Sequence, residues 1–108
     1  MTQSNQRFII EMGMGNDQYG QDYTKAAARA IEDAIRHSGI PMFEAIGLSH
    51  DQMQVQVTIG VQAPDQVDTD SLVANLPRGN ATVRAAEGGL NVHNPETGNT
   101  MIIATAAV

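Results

Sequence analysis

The stretch EMGMGNDQYGQD, residues 11 to 22, gathers residue types that can do chemistry. Gly13, Gly15 and Gly20 surround Asn16, Asp17 and Tyr19, between an apolar run and a helix-like run. Phosphate binding fits poorly. Gly15 and Gly20 match the GxxxxG spacing of a P-loop, but Gln21 and Asp22 stand where that mechanism needs Lys and Ser or Thr. The dinucleotide pattern GxGxxG has Gly13 and Gly15, then Gln18 at its third glycine. Asn16, Asp17, Tyr19 and Asp22 offer oxygen atoms to a hard cation, at a spacing that matches no closed coordination loop. His37, His50 and His93 lack the paired spacing of a zinc site. No metal is therefore expected, and any cofactor stays unidentified. Two readings remain. In one, free backbone N–H groups near a helix start, with Asp17 and Tyr19, hold the polar groups of a small ligand. In the other, the glycines merely turn the chain and Asp17 bonds its own backbone. Arg84 and Glu87 either join that ligand site from another strand or form a solvated pair on a strand edge.

Composition narrows the partners. The formal net charge is −6, and the six basic residues are scattered. Nucleic acid and anionic membrane surfaces both need clustered Lys and Arg, so neither is expected as a partner. The chain has no cysteine, which excludes disulfides and thiol chemistry and agrees with a reducing, cytoplasmic location. Nothing at the N-terminus has the charged start and long apolar stretch of a signal peptide. Aromatics make up only 4%. The core must be built from Val, Ile, Ala, Leu and Met, in a chain of 108 residues that suits one small domain with a high surface-to-volume ratio. Self-association would bury more apolar surface.

The elements that must position these groups follow from periodicity. RFIIEMGMG reads as a strand that leads into the glycine loop. DYTKAAARAIEDAIRHSGIP reads as a helix over roughly 22 to 37, capped by Asp22 and ended by Gly39 and Pro41. Tyr23, Ala26, Ala27, Ala30, Ile31, Ala34 and Ile35 form its apolar face, while Lys25, Arg29, Glu32, Asp33 and Arg36 lie mainly opposite. MFEAIGL is a short strand or connector, and SHDQ turns the chain. In QMQVQVTIGVQ, Met53, Val55, Val57, Ile59 and Val61 alternate with a polar face that carries no charge. Neutral Gln and Thr there suggest a hydrated subunit interface or polar cavity. A short helix follows, capped by Asp68 or Thr69, with Leu72, Val73 and Leu76 expected inside. NATVRAAEGGLNV is a third strand, HNPETGN a hairpin turn, and TMIIATAAV a last strand expected to be buried on both faces. It reaches Val108 without a breaker, which leaves room for the natural chain to continue. The order β-α-β-(β)-α-β-β implies an α+β two-layer sandwich, a mixed sheet with both helices on one face.

The motif also carries a resemblance. GMGNDQYG resembles the Gly-x-Gly-x-Asp-x-His-Gly signature near the N-terminus of a small conserved family of unknown function. Gly13, Gly15, Asp17 and Gly20 match it, and Tyr19 stands where the signature has His. The likeness runs on through the alanine-rich helix and GIP to AEGGL. It implies a site at the glycine stretch and no particular reaction. If the family's His is a base or ligand, Tyr19 has lost that role or replaces it as a hydrogen-bond donor. The order of elements is similar to the chorismate-mutase-like and YjgF-like group, which implies trimers with ligand clefts between subunits. The functional expectation is a small-molecule-binding oligomer, a trimer or a multiple of one, with enzymatic activity open. The alternative is a non-catalytic regulatory or structural module.

Overall fold

The structure, a computed structural model, describes residues 10–36, 54–74, 76 and 80–108. Along the chain lie β1 (Met12–Asp17), α1 (Tyr23–Arg36), β2 (Gln54–Val61), a single 3-10 turn (Pro64–Gln66), α2 (Thr69–Ala74), β3 (Asn80–Glu87), β4 (Leu90–His93) and β5 (Thr100–Ala107). They make an α+β fold with a mixed five-stranded sheet and two helices. The expected strand or connector at MFEAIGL, the turn at SHDQ, and His37 and His50 lie outside the described residues.

β5 is the organising strand. It runs antiparallel to β1 on one side and to β2 and β4 on the other, and β2 pairs in parallel with β3. The sheet order is β1-β5-β2-β3, with β4 also on β5. β2 and β4 share one edge of β5: Thr58, Ile59 and Gly60 face its end, and Leu90 to His93 face its start. The handover is made by Gly88 and Gly89. Gly89 has φ +63°, a conformation only glycine adopts cheaply. Gln62 Nε2 donates to the carbonyls of Gly88 and Gly89 at 3.1 and 3.2 Å, which pins the crossing. The single strand expected over NATVRAAEGGLNV is thus two strands, since a left-handed residue breaks the ladder between them.

The helix ends obey local chemistry. Lys25 N–H donates to Asp22 Oδ1 at 3.1 Å, and Ser71 N–H to Asp68 Oδ1 at 3.1 Å, so both helices carry an aspartate cap. Ala26, Ala27, Ala30, Ile31 and Ala34 of α1 are buried. They meet Val57, Ile59 and Val61 of β2 and Ile102, Ala104 and Ala106 of β5, with Leu72 of α2 in the same cluster. Val73, expected inside, is exposed, because a helix of six residues turns only one narrow face inward. β5 is likewise buried on one face only. Thr105 and Ala107 point away from the helices and are exposed.

Candidate functional site

The glycine stretch is a strand for most of its length. β1 runs through Asp17, two residues beyond the strand expected to end at Gly15, so only Gln18 to Asp22 form the loop. Period-two alternation then turns Gly13, Gly15 and Asp17 toward α1 and Met12, Met14 and Asn16 away from it. A Cβ on Gly13 would lie 2.5 Å from the Ala30 carbonyl oxygen, and one on Gly15 would lie 2.6 Å from that of Ala26. Both glycines are there because β1 lies directly on the alanine face of α1. Both residues pair with β5, and Gly13 also lines the concavity described below.

Asp17 closes that row. It is 4% exposed, and its Oδ2 accepts the Asp22 N–H at 2.9 Å, immediately before α1. Arg29 Nη1 lies 3.6 Å from its Oδ1. Gly20 sits against the same carboxylate, since a Cβ there would come 2.9 Å from Oδ2. A carboxylate at a helix start is also favoured by the helix dipole. Asp17 therefore ties the loop to the helix. Gln21 holds φ 50°, an unfavourable conformation for a residue with a side chain. Tyr19 projects from the loop and is 77% exposed.

Two residues on the polar face of α1 do more than face solvent. Glu11 and Val108 exchange two backbone hydrogen bonds of 2.8 Å, which sets the register of β1 on β5. In that register the polar backbone of Met12, Met14 and Asn16 points to the edge that no strand among the described residues occupies. Asp33 Oδ2 accepts the Met14 N–H at 3.0 Å, and Arg29 Nη1 donates to the Asn16 carbonyl at 2.6 Å. One turn of α1 thus covers the edge that a foreign strand would otherwise pair with. The i, i+4 spacing of Arg29 and Asp33 was visible in the sequence, but their contact with β1 depends on how close the glycines let the strand come.

Arg84 and Glu87 lie on β3, with two strands between them and β1. At about 4.8 Å per strand the separation is about 14 Å, so one copy of the chain does not unite them with Asp17 and Tyr19. Arg84 Nε donates to Thr58 Oγ1 at 3.2 Å. Glu87 instead rims a shallow concavity of about 660 Å³ on the sheet face away from the helices, with Met12, Met14, Thr58, Gly60 and Thr105. The uncharged face of β2 pointed to an interface or cavity on this side, but the part played by β1, β3 and β5 in it was not legible from periodicity. Among the described residues, no three His, Asp or Glu side chains converge as a metal site, and no helix is long and apolar enough to cross a membrane.

The model of the conserved hypothetical protein family Lin0512_fam matches residues 7–108. The chain belongs to this family. A solved structure similar to this chain is the crystal structure of an FtsZ-like protein of unknown function from Nostoc punctiforme. It shares 42% identity, covers 94% of this chain and 91% of its own, and superposes with a TM-score of 0.79. No curated protein matches the sequence. The Lin0512 family is thus a conserved family of unknown function, and the residues above are its candidate site in this chain.

Proposed function

We propose that the protein works as a self-associating module whose small-molecule site forms between copies, on a chorismate-mutase-like two-layer frame. One observation carries this reading: the sheet face away from the helices is open among the described residues and almost free of charge. Along the strands its outward positions include Met12, Met14, Gln54, Gln56, Thr58 and Thr82, and Arg84 is their only charged side chain. Such a face, in a chain of net charge −6, lets copies meet with little like-charge repulsion. Exposed large apolar groups on it, Met12 and Met14 with Leu90 and Val92, are of the kind that commonly marks an interaction site. The separation of Asn16 and Tyr19 from Arg84 and Glu87 supports a site that draws on two copies, with Asn16 and Tyr19 from one and Arg84 and Glu87 from another.

A second reading has its own support. The Asp17 carboxylate is held by Asp22 and Arg29, and the two β1 glycines are packed on α1. That leaves the motif without a free base and favours a non-catalytic regulatory or structural oligomer. Sedimentation of the full chain at micromolar concentration, followed by a thermal-shift panel of metabolites, separates the readings. An oligomer with a ligand-induced shift that Arg84→Ala removes supports the intersubunit site. An oligomer without any shift supports the structural module, and a stable monomer of 11.5 kDa ends both.

A further inference from the structure

The open face differs along its length. At the start of β5, Met101 and Ile103 stand opposite Val92 and Leu90. All four point away from the helices and form an apolar ridge, with Leu90 61% and Val92 45% exposed. At the end of β5, Thr105 and Ala107 stand opposite Gly60 and Thr58. These small residues floor the concavity of about 660 Å³, and Met12 and Met14 rise along one side of it. One strand therefore carries a bulky apolar end and a hollow end on the same face.

A two-fold axis lying between two such faces and running across the strands exchanges the ends and keeps each strand over its own counterpart, so a ligand site joining β1 of one copy to β3 of another needs a different interface. Each ridge then meets the other copy's hollow, which is the self-complementary arrangement an isologous interface requires. From these dimensions, and resting on the reading of self-association above, we infer that the protein pairs face to face, with Leu90 and Val92 of each copy seated over Gly60 and Ala107 of the other. Charge favours a second copy over other occupants. Among the described residues this face carries Arg84, with Asp33 and Glu87 at the rim of the concavity, too few charges of either sign to hold a strongly basic or strongly acidic partner. A neutral apolar face matches itself. A hexamer contains this pair three times, whereas a trimer does not contain it.

The chain's lack of cysteine makes the test direct. Within one copy Val92 and Ala107 lie about 20 Å apart, six residues along β5, far beyond disulfide reach. A bifunctional thiol reagent with a spacer of about 10 Å, the distance between stacked sheets and half the separation within one copy, should therefore link two chains of the double variant Val92→Cys/Ala107→Cys, and should link each single variant far less. Val92→Glu, at a half-exposed position that leaves the fold intact, should weaken pairing by about tenfold or more in sedimentation equilibrium. An oligomer that shows neither cross-link nor weakening overturns the inference and leaves self-association standing, as does a pure trimer. A chain that stays monomeric at every concentration overturns both.

Discussion

The two faces of the sheet are built from the same strands and obey opposite rules. On β5, Ile102, Ala104 and Ala106 are buried beneath α1, while Thr105 and Ala107 beside them are exposed. On β2, Val57, Ile59 and Val61 are buried, while Gln54 and Gln56 face out. β1 carries the contrast furthest. Its inner row has glycine so that alanines can touch the backbone, and its outer row has exposed methionine. The inner face is close-packed, where each methyl group counts. On the outer face a side chain can change without disturbing the monomer, so stability there places little constraint on sequence. That freedom makes a neutral, apolar outer row informative about assembly.

The largest test of the contrast lies at its centre. Ile59 is fully buried in the core cluster, so Ile59→Ala should cost about 2–5 kcal/mol in urea unfolding. A loss below 1 kcal/mol would mean that the inner face is loosely packed. Next comes Gly15→Ala. Its added methyl group would meet the backbone of α1, which has no flexible side chain to give way, and the expected loss is about 1–3 kcal/mol. If the variant is as stable as wild type, β1 does not lie as close to α1 as described.

Asp17→Asn should cost about 1 kcal/mol, since the amide oxygen still accepts from Asp22 but the charge toward Arg29 is gone. Arg29 is half-exposed, so the difference should shrink in concentrated salt. An unchanged or raised stability would indicate a carboxylate held in strain for function, which returns the motif to the ligand-site reading. The smallest effect is expected on the outer row. Met14→Gln should change monomer stability by less than about 0.5 kcal/mol, because Met14 is mostly exposed. The same change should still weaken assembly, measured by sedimentation, if the open face is where copies meet.

Much of the helix and of β2 was legible in the sequence. The apolar stripe from Ala26 to Ala34 and the alternation from Val55 to Val61 record periods that the local backbone dictates. The aspartate caps at Asp22 and Asp68 were legible for the same reason, since a cap bonds within three residues. The candidate site was read less well. The strand read over RFIIEMGMG includes Gly13 and Gly15 but stops two residues short of Asp17, because Asn and Asp after a glycine look like the start of a turn until something packs on them. Nor does a run such as TMIIATAAV say how many layers cover it.

The sequence by itself thus determined the α+β class, the long helix and its buried face, the caps and the hairpin turn, because each depends on residues within about one or two turns of chain. Only the tertiary structure decided that Gly13 and Gly15 exist to admit α1, that Asp17 faces inward to Asp22 and Arg29, and that Arg29 and Asp33 cover the edge of β1. It also decided that Gly88 and Gly89 pass β5 from β2 to β4, leaving a ridge and a hollow on one open face. The physical reason is common to all of these. They are contacts between segments far apart in the chain, and a residue's local preference carries no record of which distant backbone will come within a few ångströms of it.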